Sequence, residues 1–153
     1  MGVRHMREFL VVMDDTDEAK AAIRFAARRA AALDGAVHIL AVTPQQNVSA
    51  FGAVQATIEQ EARDRVEMLA HGAAGNLFSE SGVMPSISVR IGSSAKIVNE
   101  FLEETPEVGA LVLGAADSGN PGPLVSHFSS HAGTLPCPLY IIPGNYDEES
   151  DAS

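Results

Sequence analysis

The sequence predicts an α/β protein: a five-stranded parallel sheet between two layers of helices, a three-layer α/β/α sandwich. Three observations predict it. First, Phe9–Met13 and Ala110–Leu113 are apolar runs without charge on either face, which suits strands buried on both sides. Second, the stretches between strands carry apolar residues at helical spacing. Third, the elements alternate β-α-β-α-β-α-β-α-β, which implies parallel strands joined by right-handed crossovers.

Strand one, Phe9–Met13, ends at Asp14-Asp15-Thr16-Asp17-Glu18. Asp15 or Thr16 can cap the next helix, and Asp17 and Glu18 suit its first turn, where acids oppose the macrodipole. Helix one, roughly 17–33, buries Ile23, Ala26, Ala27, Ala30 and Leu33 and turns Lys20, Arg24, Arg28 and Arg29 outward; Gly35 ends it. Strand two is Val37–Thr43, followed by a polar loop over 44–53. Helix two, about 54–79, has its stripe at Ile58, Ala62, Val66, Leu69, Ala73 and Leu77. Ile87, Val89 and Ile91 alternate with Ser86, Ser88 and Arg90, which predicts an edge strand with one wet face. Helix three, about 95–104, points Ile97, Val98, Phe101 and Leu102 inward. After strand four, Gly114 opens a Gly/Pro/Ser loop. Pro123 starts helix four, Gly133 closes it, and Leu139–Ile142 form the last strand. Residues 1–6 and 145–153 read as flexible termini, the second of them an acidic, solvated tail.

The bulk numbers exclude several function classes. The formal net charge is −10, and no Lys or Arg follows Lys96, so nucleic acid is not an expected partner. No apolar run approaches the length of a membrane span, and the charged start Met1–Arg7 does not read as a signal peptide. A single cysteine excludes an internal disulfide and fits a reducing cytoplasm.

Residues 7–144 resemble the universal stress protein family. The resemblance lies in Val12-Met13-Asp14-Asp15-Thr16, in Val37-His38-Ile39-Leu40-Ala41-Val42, and in Gly114, Ser126 and Pro136-Cys137-Pro138-Leu139. It implies one Rossmann-like domain over 7–144 with strand order 3-2-1-4-5 and a homodimer through strand 139–143. The ATP-binding members carry a glycine, two residues, a second glycine, nine residues, then a third glycine followed by Ser or Thr. Here Gly114 fits the first place, Asp117 stands at the second, and Val125 stands at the third with Ser126 after it; the loop is about two residues shorter. Asp117 at about 4 Å from a phosphate charge would oppose binding by roughly 4 kcal/mol at an effective dielectric of 20. A metal bridging Asp117 and the phosphates would reverse that sign.

The candidate ligand site comprises Asp14, Asp15, Val42, Gly114, Ala115, Asp117, Val125 and Ser126. By the resemblance, Val42 would meet adenine through its backbone. Asp14 reads either as a ribose or metal contact or as a capping carboxylate, and Asp15 and Asp17 read as cap and dipole partners. Two isolated features are read as structural: His127 and His131, spaced i, i+4 without a third metal ligand, and Cys137, a thiol between prolines. No catalytic residue and no metal site are expected. The leading function is a cytoplasmic stress-response protein without clear catalysis and with a degenerate nucleotide loop. The alternative is an ATP- or AMP-binding switch or slow ATPase of the same fold, with Mg only if ATP binds. A flavodoxin-like carrier is the third reading, with Phe51 and Phe128 as the aromatics near the loops and no Trp.

Overall fold

In the computed structural model, residues 8–14, 16–44 and 52–146 are described, without the side chains of 52 and 53. Asp15, Phe51, most of the 44–53 loop, residues 1–6 and the tail from Asp147 lie outside them.

The elements are β1 (Glu8–Met13), α1 (Glu18–Leu33), β2 (Ala36–Thr43), α2 (Gly52–Ser81), β3 (Ser86–Ile91), α3 (Ser94–Glu104), β4 (Val108–Ala115), α4 (Pro123–Ser130) and β5 (Leu139–Pro143). The sheet is parallel throughout, in the order β3-β2-β1-β4-β5, as the family resemblance implies. Strand side chains alternate between two cores. Phe9, Val11 and Met13 pack with α1 and α2, while Leu10 and Val12 pack with α3 and α4. That double burial is why β1 and β4 carry no polar residue in their centres.

The first face is built from small residues. Ala19, Ala21, Ala22, Ala26, Ala27 and Ala30 of α1 are all buried. On α2 the buried stripe runs Ala62, Val66, Ala70, Ala74 and Leu77. The predicted stripe placed Leu69 inside, yet it is 40% exposed. The i+4 steps from Val66 to Ala70 and Ala74 keep a row of alanines against the core, and Leu69 falls one residue off that row.

Two predicted helix ends differ. Asp34, not Gly35, takes the left-handed conformation after α1 (φ 54°), and Gly35 N–H donates to the Ala30 carbonyl at 2.7 Å. Asp tolerates that region better than most L residues. Gly133 does not close α4. The helix ends at Ser130, and Gly133 lies inside the following 3₁₀ turn, Ala132–Thr134.

The β3 edge is drier than its alternation suggests. His38 Nε2 and Ser88 Oγ are hydrogen-bonded at 2.8 Å, and the Arg90 guanidinium lies over the Phe101 ring at 5.7 Å. Two of the three polar residues of β3 are thereby engaged with β2 and α3, while Ser86 is exposed.

Candidate functional site

The strand order creates the site. From β1 the chain crosses to one face through α1; from β4, its sheet neighbour, it crosses to the other through α4. Neighbouring strands whose connections depart to opposite faces leave a crevice at their carboxyl ends. A cleft of about 70 Å³ lies there. Its lining includes Asp14, Thr16, Glu18, Gly114, Gly122 and Val125.

Three of the sequence-derived site residues therefore meet: Asp14, Gly114 and Val125. Val42 and Ala115 sit at the carboxyl ends of β2 and β4, outside the lining, with Val42 buried in the α3 core. Asp117 and Ser126 are exposed and do not line the cleft. Asp15 lies outside the described residues. Thr16, Glu18, Pro121 and Gly122 line the cleft without having been singled out. The signal for Gly122 was the Pro-Gly-Pro run immediately before α4. Nothing in the sequence marked Glu18 beyond its place in a first helical turn.

Local hydrogen bonding defines each wall. Asp14 Oδ1 accepts from the Thr16 N–H at 3.2 Å and from the Thr16 hydroxyl. Asp14 thus closes the turn before α1 and does not cap the helix; Asp17, at the N-cap, makes no side-chain capping bond. On the opposite wall the loop closes on itself. Ala116 N–H donates to the Pro121 carbonyl at 3.2 Å, and Gly122 N–H donates to Asn120 Oδ1 at 2.9 Å. Gly122 then enters α4 at φ 116°, a conformation open to glycine and strained for any L side chain.

The floor is Gly114. A Cβ built there would stand 2.3 Å from the Glu18 carbonyl oxygen. This glycine is required by the approach of α1 to β4, whether or not a ligand is bound.

These facts bear on a polyphosphate. Drug-sized ligand pockets hold roughly 300–1,000 Å³, well above the 70 Å³ of this cleft. The charged side chains in the lining are Asp14 and Glu18, with no Lys or Arg. Two backbone N–H groups of the loop, those of Ala116 and Gly122, are engaged within it.

The other candidates have local partners or are buried. His127 and His131 stack at 4.5 Å, and His131 Nδ1–H donates to the His127 carbonyl at 2.7 Å. Among the described residues no group of three His, Cys, Asp or Glu could hold a metal ion. Cys137 is buried, and burial pushes its thiol up, away from thiolate reactivity. No helix among the described residues is long and apolar enough to cross a membrane.

Comparison with known proteins places this geometry. A model of the universal stress protein family matches residues 6–143. No curated protein matches the sequence. Among solved structures, a universal stress protein from Lactobacillus plantarum superposes with a TM-score of 0.71 at 19% identity, covering 92% of this chain and 99% of that one. A family member from Burkholderia pseudomallei gives 0.73 at 16%, covering 93% and 99%. A family protein from Arabidopsis thaliana with AMP bound gives 0.60 at 16%, covering 92% and 94%.

Proposed function

Since the chain belongs to the universal stress protein family, we propose that it is a cytoplasmic regulatory protein of that family. It acts without catalysis, and its nucleotide loop is closed. One observation carries this reading. The loop after β4 spends the N–H groups of Ala116 and Gly122 on Pro121 and Asn120 and leaves a 70 Å³ cleft whose charged lining among the described residues is two acids. A single domain over 7–144 and a homodimer through strand 139–143 complete the proposal. β5 is a sheet edge with Ile141 39% exposed, and apolar edges are normally covered.

A second reading is favoured by the Arabidopsis relative with AMP bound: an adenine nucleotide, with Mg accompanying any ATP, binds at Asp14, Asp15, Val42, Gly114, Ala115, Asp117, Val125 and Ser126. It requires the 116–122 loop to open. The test is the mass of small molecules released when purified protein is denatured, followed by ATP and AMP titration with and without magnesium. No released nucleotide and no saturable binding is the expected result. Co-purified or tightly titrating nucleotide replaces the first reading with the second. A chain that stays monomeric at high concentration removes the dimer from either.

A further inference from the structure

A second cavity, of about 290 Å³, lies away from the β1–β4 crevice. Its walls are Arg24, Phe25 and Arg28 of α1 and the turn Gly144, Asn145 and Tyr146. The wall on α1 is unusual for this chain. Of ten Lys and Arg in a protein of net charge −10, four stand on α1: Lys20, Arg24, Arg28 and Arg29. Lys20, Arg24 and Arg28 are spaced i, i+4, i+8 and therefore form one row. Arg29 lies over the Phe25 ring at 5.4 Å. The groove thus has a cationic rim and an aromatic floor.

The other wall sets where the chain goes next. Tyr146 N–H donates to the Pro143 carbonyl at 2.9 Å, and its ring meets Phe25 edge-on at 6.2 Å. The backbone is therefore delivered into the groove at Tyr146. The next five residues are Asp147, Glu148, Glu149, Ser150 and Asp151, with four carboxylates.

We propose that this groove docks the chain's own acidic C-terminal segment, residues 147–151, with its carboxylates against Arg24 and Arg28. Reach is sufficient. Five residues span up to about 17 Å when extended, while Lys20 to Arg28 covers about 12 Å of helix. Guanidinium groups bind carboxylates through paired N–H donors. The tether keeps the local carboxylate concentration at roughly the millimolar level without any partner in solution. The inference is independent of what the β1–β4 cleft binds.

The experiment is a double-mutant cycle on thermal stability. The full chain is compared with a chain ending at Tyr146, each with and without Arg24→Gln plus Arg28→Gln. At low salt, truncation lowers the Tm of the otherwise unaltered chain by about 2–4 °C. Truncation leaves the Tm of the double variant unchanged or raises it, because four carboxylates of an acidic protein have been removed. At about 1 M salt, where the Debye length is ~3 Å, the difference disappears. Equal effects of truncation in both backgrounds overturn the proposal. So does a stabilisation by inorganic phosphate as large in the full chain as in the truncated one, which means a groove open to free anions. A truncation effect that grows with protein concentration also overturns it, by assigning the groove to the tail of a second copy.

Discussion

Gly114 and Glu18 touch backbone to backbone: the space a Gly114 side chain needs is held by the Glu18 carbonyl, 2.3 Å from where Cβ would stand. Gly144 presses on the same residue, its would-be Cβ 3.0 Å from Glu18 Cβ. The first turn of α1 is seated between the ends of β4 and β5. Neither neighbour of Gly114 is a flexible tip that can swing away. Gly114→Ala therefore destabilises by about 1–3 kcal/mol, the range of overpacked cores. Urea unfolding checks this: the midpoint falls with an unchanged slope. An unchanged midpoint means α1 can lift off β4 freely.

Asp117 is exposed and off the cleft, so the roughly 4 kcal/mol penalty of a 4 Å approach does not apply to the loop as folded. Through water even that approach is worth about 1 kcal/mol, or roughly fivefold. Asp117→Gly accordingly leaves a calorimetric ATP titration without saturable binding, as in the unaltered chain. Tight ATP binding created by Asp117→Gly would place this carboxylate inside the binding site after all.

His38 links three strands. It is hydrogen-bonded to Ser88, and its Nδ1 lies 3.8 Å from Glu8 Oε1, too far for a hydrogen bond. Burial, and secondarily Arg90, lower its pKa from the ordinary 6.5 despite the nearby carboxylate. The folded chain therefore protonates this imidazole at lower pH than the unfolded chain does. Its contribution is complete above pH 6.5 and is lost as pH falls below it. Glu8 runs the other way. Burial, then Glu107, raise it above 4.5, so its contribution is present below 4.5 and fades as pH rises. For His38 the slope is at most one proton, about 1.4 kcal/mol per pH unit. Denaturation series just below pH 6.5 show stability rising with pH, and His38→Gln flattens the curve there. Equal slopes in the two proteins remove His38 as the source.

Cys137 supplies a probe of opening. Its thiol is buried and pushed up by that burial, so a disulfide reagent labels it slowly in the native protein. In denaturant it labels at the rate of a free thiol. Rapid native labelling would show that the α4–β5 segment opens locally.

Most of the fold was legible because its signals are local. Charge-free runs such as Phe9–Met13, the alternation of Ile87, Val89 and Ile91, and the proline before α4 each report on their own segment. Strand order required the family resemblance, since nothing in β1 alone says that β4 lies beside it. The errors share a cause. Leu33, Leu69, Gly35 and Gly133 were placed by residue type: Leu33 is 50% and Leu69 40% exposed, Asp34 takes the left-handed position one residue before Gly35, and α4 ends three residues before Gly133. Three of the eight candidate site residues line the cleft. Asp14, Gly114 and Val125 converge because strand ends at a switch point must. Asp117 and Ser126 depended on a loop whose path is set by Asn120, Pro121 and Gly122 closing on one another.

The alanines facing the sheet from α1 have a consequence for how such a chain can change over time. Ala22, Ala26 and Ala30 have no exposed surface, so enlarging them strains the packing, and shrinking them leaves only glycine, which weakens the helix. The opposite face, with Phe101, Leu102, Val125 and Phe128, offers many volume-conserving exchanges. Drift in sequence should therefore collect under α3 and α4, while α1 stays frozen as the template on which the carboxyl ends of β1 and β4 are held in place.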